Sequence, residues 1–401
     1  MLTFEWFTLG LNESTHVLFS IIFICVCLIW GSLKWQNYHF EKLAATFPGP
    51  KALPFIGNAL ELIENNPEDI LWNLRNLSKT YNSPFRLWLG RKLCVFITKP
   101  EDLQVRIFIK LLNKLIDKWK RTRKALAPYF SPKILTSFVP VMNERANIIV
   151  QNIQCHCGTG AEIDIFPYFM PAALDTVCEI SDRFYFRYVL LHLNPLPMFF
   201  FLQGSESTAL TNCFCLLMLA MHPEIQEKVF KEQYSIFGNE NRPVTTENID
   251  KMKYTEQVIK ETLRLFPTLP FILRSIEEDI KITQDHILPA GSTAVIAPLL
   301  THYDSTLWKQ PKQFDPENFS TKNVELRHKY SFIAFSGGAR GCIGTKYGMM
   351  AMKTTISIFI RHFTVSTMIG LKNIKLTADL LIRSKHGWIM KLEPRVYQKP
   401  Q

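Results

Sequence analysis

Phe335-Ser-Gly-Gly338-Ala-Arg340-Gly-Cys342-Ile-Gly344 is followed directly by a pattern of helical period that runs to about Arg361. Gly337, Gly338 and Gly344 permit close backbone approach and φ values closed to other residues. Cys342 falls just ahead of the helix, where free amide N–H groups and the helix dipole favour thiolate over thiol. Arg340, two residues earlier, supplies a cation. A thiolate presented on such a loop suits a nucleophile, a metal ligand or a haem ligand. A nucleophile wants a histidine base; none lies locally, and His328 is placed by no pattern.

The surrounding chain can support a buried site. It has 401 residues, 47% of them hydrophobic and 20% charged, which excludes general disorder and allows one large domain or two ordinary ones. The net charge of +11 favours acidic partners. Nucleic acid is disfavoured, because there is no basic low-complexity tail and no basic run interleaved with aromatics. The nine cysteines are scattered without a secreted disulfide framework, as in a reducing compartment. Cys155-His156-Cys157 is too tightly spaced for a zinc knuckle and has no second pair.

From Ser14 to Leu33 there is no Lys, Arg, Asp or Glu. Such a run rises about 30 Å as a helix, the thickness of the hydrocarbon core. Trp30 and Trp35 suit the interface, no basic n-region precedes the run, and no small-residue cleavage site follows it. Residues 14–35 are therefore expected to be an uncleaved transmembrane anchor. Glu5 and Glu13 lie before the uncharged run and Lys34 and Lys42 after it, which puts 1–13 in the lumen and the body in the cytosol.

Beyond the anchor, Phe47-Pro48-Gly49-Pro50 and Pro54-Phe55-Ile56-Gly57 predict a stiff extended connector over 36–58, with the catalytic body at 59–401. A helix is expected at 68–81, and a hairpin from Phe85–Leu89 and Leu93–Thr98 around Gly90-Arg91-Lys92. Helical periods dominate from about 101, with short strands at 280–283 and 293–297. The fold class is mainly α with a minor β-sheet. Met198–Met221 is apolar but interrupted by Gln203, Ser205, Glu206, Ser207, Thr208, Thr211 and Asn212, so it reads as a buried core helix with a polar notch.

The spacing Phe335-x-x-Gly338-x-Arg340-x-Cys342-x-Gly344 resembles the haem-binding loop of the cytochrome P450 superfamily. Other segments fall in the matching order. Glu261-Thr-Leu-Arg264 resembles the E-x-x-R pair, and Phe314-Asp-Pro316-Glu317-Asn318-Phe319 resembles the aromatic-proline segment after it, with Asn318 where most relatives carry Arg. Trp119-Lys-Arg-Thr-Arg123 resembles the W-x-x-x-R helix at a haem propionate, and Arg274 stands where relatives present another propionate-binding arginine. Gln203-Gly204-Ser205-Glu206-Ser207-Thr208 is similar to the oxygen-activation notch. The segments 314–350 and Lys385-His386-Gly387 are most similar to the fourth family, rich in insect members and fatty-acid hydroxylases.

The resemblance implies a haem-thiolate fold behind one transmembrane helix, with haem b ligated by Cys342. Arg123, Arg274 and Arg340 would neutralise the propionates, and Trp119, Phe335, Gly338 and Gly344 would complete the cofactor site. Glu206 would relay protons, with Ser207 or Thr208 holding water, while Glu261, Arg264 and Asn318 would be structural. Electrons would come from NADPH through a separate reductase, with cytochrome b5 as a second donor, at the endoplasmic reticulum membrane. The substrate would be a lipophile such as a fatty acid, steroid, terpenoid or xenobiotic. Only 80 residues separate Arg123 from Gly204, and the stretch before Trp119 is short too, so the distal helices are expected to be incomplete over 104–118 and 124–203. Two readings stand: an anchored monooxygenase, and a truncated or splice product that keeps anchor and haem loop without catalysis.

Overall fold

Leu93-Cys-Val-Phe-Ile97 has no polar break, the pattern of a strand covered on both faces. In the computed structural model, which describes residues 13–62, 69–103, 117–183 and 197–396, this run is an inner strand of the largest sheet. β1 (Phe85–Leu89) and β2 (Lys92–Ile97) form the expected hairpin, with Lys92 already in the second strand. β2 pairs in parallel with a strand from far along the chain, Thr293–Ile296, in the register Cys94↔Thr293 to Ile97↔Ile296. Ile272–Ser275 closes the sheet on the other side of that strand, antiparallel. Both inner strands are buried along almost their whole length.

Smaller sheets complete the β portion. Ile163–Asp164, Ile389–Pro394 and Phe363–Ser366 form three strands, while Leu376–Ala378 and Ile382–Ser384 form a hairpin. The strand expected at 280–283 is only Ile280–Lys281, paired with Ile287–Leu288.

The helical portion surrounds one helix, Pro197–Met221. Every residue from Thr208 to Ala220 is buried, as an all-round apolar helix requires. The chain breaks at His222 and restarts as a helix at Pro223, where a missing amide N–H is harmless. Phe166–Arg183, Lys253–Leu265 and Thr345–His362 pack around the central helix. Phe214 on it stacks on Phe266 with ring centroids 4.5 Å apart. The mainly helical class with a minor sheet is thus what the chain adopts.

The N-terminal part departs from expectation in one respect. Glu13–Ala45 is one continuous helix of 33 residues, so the extended connector begins only after Ala45 rather than at 36. The first proline is Pro48, and nothing in 36–45 breaks a helix. The end of this helix docks on the body: Phe40 meets Trp88 edge-on, Ala44 and Phe47 are buried, and Arg86 donates to Ala44 O at 2.6 Å. Among the described residues no single helix is long and apolar enough to cross a membrane, and Leu18–Leu28 is a shorter apolar helix. The expected lumenal segment and the shortened stretch after 103 fall largely outside the described residues.

Candidate functional site

The loop Phe335–Gly344 is held by its own backbone. Cys342 N–H donates to Phe335 O at 2.8 Å and Gly341 N–H to Gly338 O at 3.0 Å. Gly338 has φ +63°, the left-handed region where a side chain is strained, so a glycine is required there. Gly344 caps the helix Thr345–His362, and Thr345 Oγ1 donates back to Cys342 O at 2.9 Å. Cys342 therefore stands just before the helix, as expected.

The loop forms one wall of a cavity of about 450 Å³. Phe335, Arg340, Cys342 and Gly344 line it, together with Arg123 and Arg274. Helix Pro197–Met221 contributes Gly204, Ser207, Thr208 and Thr211, positions that share one helical face. Gly204 has open space where a Cβ would stand, so this face leaves room on the cavity side. Thr208 donates to Gly204 O at 2.9 Å and Thr211 to Ser207 O at 2.7 Å.

Cys342 has surface open to the cavity, yet protein atoms crowd it on its other sides. Burial pushes its thiol up, against the pull of the Gly344 N–H, Thr345 and the Arg123 charge. The expected thiolate preference is thus outweighed in the protein alone, and the cation acting on the sulfur is Arg123 rather than Arg340. Arg123 also donates to Gly341 O at 2.8 Å, tying its helix, Asp117–Leu126, to the cysteine loop. Trp119 lies one turn earlier on that helix, with its side chain outside the described part.

The three arginines crowd each other electrostatically. Burial lowers Arg274 to about 10, with Arg340 adding to the effect, and Arg340 is itself lowered by burial and by Arg123. Among the described residues no carboxylate lines the cavity. Three guanidiniums converging on one cavity suit an anionic ligand.

Glu206 stands differently from its expected role. It pairs with Arg383 on the hairpin strand Ile382–Ser384, and it is absent from the cavity lining that Ser207 and Thr208 share. Glu261 and Arg264 form a bidentate pair at 2.7 Å with both side chains fully buried. Arg264 further donates to the carbonyls of His302, Pro311 and Gln313. Asn318 Nδ2 donates to Glu261 Oε1 at 3.1 Å, joined by Asp315 N–H at 2.9 Å. Arg327, which the sequence reading did not single out, stacks on Trp308 at 3.8 Å and feels the Glu261 charge. The aromatic lining from Tyr129, Phe130, Phe138 and Tyr347 was also missed. Phe130 and Tyr347 touch the cavity from helical positions whose period alone reads as core.

Residues 106–188 and 191–388 match the family model described as cytochrome P450. The chain belongs to the cytochrome P450 family. It is similar to cytochrome P450 4V2 of Rattus norvegicus, 28% identical over 530 positions that cover 98% of this chain and 100% of the relative. Cytochrome P450 4g15 of Drosophila melanogaster is 36% identical over 567 positions, 96% of this chain and 98% of the relative. Cytochrome P450 4g1 of the same fly is 38% identical over 510 positions, covering 90% and 91%. The resemblance to the fourth family is borne out, and the chain is a P450-type monooxygenase, an oxidoreductase. These alignments are longer than the 401 residues of the chain, so the relatives carry segments without a counterpart here.

The family implies a haem and electrons from a redox partner. The residues present fit that cofactor: a thiol at the cavity wall, three arginines for carboxylates, no acid among the described lining residues, and an open helix face at Gly204.

Proposed function

We propose that this chain is a membrane-anchored monooxygenase that holds haem b in the 450 Å³ cavity and inserts one oxygen atom of O2 into a lipophile, with a fatty acid as the leading class. The observation that carries the reading is the convergence of Cys342, Arg123, Arg274 and Arg340 on a cavity that Ser207 and Thr208 face. When bound, haem supplies the oxygen-activating and one-electron chemistry.

The protein's own residues have three tasks. Cys342 would hold the haem iron through its thiolate, whose charge the Gly344 N–H and Arg123 favour. The three arginines orient the propionate edge and cancel its charge. Ser207 or Thr208 would hold water on the distal side of the cavity, Thr208 as an acceptor because its hydrogen is committed to Gly204 O. Glu206, the relay acid, would reach that water only after leaving Arg383. The apolar wall from Phe130, Phe138, Leu269 and Leu381 receives the lipophile. The reaction consumes two electrons and two protons, placing one oxygen atom in product and one in water.

Electrons would come from NADPH through a separate membrane-bound reductase, with cytochrome b5 as a second donor. The uncharged run 14–33 and the lysines after it support a single-pass anchor in the endoplasmic reticulum, in contact with lipid and with the body in the cytosol. The alignments of more than 500 positions favour a second reading, in which the shortened chain keeps anchor and haem site without turnover.

The reduced carbon monoxide difference spectrum tests the site. The expected result is a Soret band of thiolate-ligated haem that disappears in Cys342→Ala; absence of the band in the parent protein refutes the proposal. Oxidation of a fatty acid with reductase and NADPH then separates the two readings.

A further inference from the structure

Behind the wall formed by Ser207 and Thr208 lies a second, much smaller cavity of about 20 Å³. It is lined by the helices Val139–Ile153, Phe166–Arg183, Pro197–Met221 and Thr345–His362. Its lining is largely apolar, with two polar atoms that stand out. Asn212 is only 3% exposed, and its Oδ1 has no hydrogen-bond partner among the described residues. The Nε of Arg145 is likewise buried without a partner, although the same guanidinium bonds Glu179 at 2.8 Å through its other end. Both residues line the small cavity.

An acceptor and a donor left unsatisfied on residues that line one void are costly, since a buried unpaired group forfeits its full hydration. One water needs about 10–15 Å³ and two to four polar partners. The cavity meets the first requirement. A water held there would donate one hydrogen to Asn212 Oδ1 and accept from Arg145 Nε–H. A third partner is at hand in Thr208, which lines this cavity and the large one alike. The Thr208 hydroxyl hydrogen is committed to Gly204 O, so its lone pairs remain to accept the second water hydrogen.

We propose that this cavity is a built binding site for a single water molecule, which bridges Asn212 Oδ1, Arg145 Nε and Thr208 Oγ1 and fixes the Thr208 hydroxyl from behind. The site rests on these contacts alone and stands whether or not the chain turns over substrate. It ties the wall of the large cavity to the surface ion pair of Arg145 and Glu179.

A high-resolution crystal structure of the full haem-loaded protein tests the site directly. A density peak within hydrogen-bond distance of Asn212 Oδ1 and Arg145 Nε is expected; a cavity without one overturns the proposal. Thermal unfolding gives an independent sign. Asn212→Leu keeps the branched side-chain shape but expels the water, stranding Arg145 Nε, and is expected to lower the melting temperature by about 2 °C or more. If the cavity is dry, the same change removes an unsatisfied amide and raises the melting temperature, which overturns the proposal. Thr208→Val combined with Asn212→Leu should cost less than the two changes separately, because the first has already removed the water. Strict additivity would exclude Thr208 from the bridge. Should the leucine variant fail to fold, the density still decides.

Discussion

Replacing Arg264 by Met removes a buried side chain that makes five hydrogen bonds. Arg264 is fully buried and makes two bonds to Glu261 and one each to the carbonyls of His302, Pro311 and Gln313, all between 2.7 and 2.9 Å. Methionine matches the stem and replaces none of these donors. Breaking a buried ion pair by deleting one partner costs about 3–5 kcal/mol, because the other charge is left without compensation. Glu261 would keep only the Asp315 N–H and the Asn318 amide, with burial already pushing its carboxyl up. Domain stabilities run to about 5–15 kcal/mol, so Arg264→Met removes a large fraction of the total. Glu261→Gln keeps the shape and leaves Arg264 its three carbonyls, and is expected to cost about 3 kcal/mol. In the double variant Glu261→Leu/Arg264→Met no charge is stranded, so its cost should fall well below the sum of the singles. Urea unfolding of the haem-loaded protein, followed by tryptophan fluorescence, reads the effect, and Trp308, one of eight tryptophans, is 1% exposed with its ring centroid 5.0 Å from the Arg264 guanidinium carbon. Arg264→Met should lower the urea midpoint by about 1 M or more. A loss under about 1 kcal/mol, or strict additivity in the double variant, would refute the reasoning.

Arg274→Leu and Arg340→Leu should each raise the haem dissociation rate about tenfold, as expected for one lost charge-assisted bond, and apomyoglobin capture measures it. His302 is fully buried, and burial together with the Arg264 charge lowers it from 6.5 to about 3. The folded protein then binds fewer protons than the unfolded chain between these values. Stability should be full above pH 6.5 and fall by up to about 1.4 kcal/mol per pH unit down to about 3, a slope that His302→Gln removes in urea titrations across pH. Burial pushes Glu256 up, but its bonds to Lys260 and Lys353 win and hold it at about 2. Its contribution is present above 4.5 and lost as pH falls towards 2, so Glu256→Gln should flatten that part of an acid-unfolding curve. Glu206→Gln breaks a half-exposed pair with Arg383 and should cost no more than about 1 kcal/mol by thermal unfolding, with haem content unchanged.

The parts of the site that could be read beforehand are those carried by short runs. Phe335–Gly344 places its backbone turns, thiol and helix start within ten residues, so spacing alone describes it. Glu261 and Arg264 are likewise neighbours on one helix face, but the carbonyls that Arg264 serves lie some 40 to 50 residues further on. Nothing local announces them. Glu206 shows the same limit more sharply: its chemistry suggested a relay, while its partner, 177 residues away, comes from a hairpin that periodicity does not pair with this helix. The class and most elements were legible because burial imposes a period. The end of the first helix was misjudged because prolines mark where a helix must stop, not where it does.

The parallel pairing of Lys92–Ile97 with Thr293–Ile296 sets a schedule for synthesis. Ribosomes add about 5–20 residues per second, so the first strand leaves the tunnel roughly 10–40 s before its partner exists. During that interval its Leu-Cys-Val-Phe-Ile run has an open edge and an apolar face, the combination that recruits other chains. Yield of this protein in any host should therefore track translation speed and chaperone supply more closely than the stability of the finished fold.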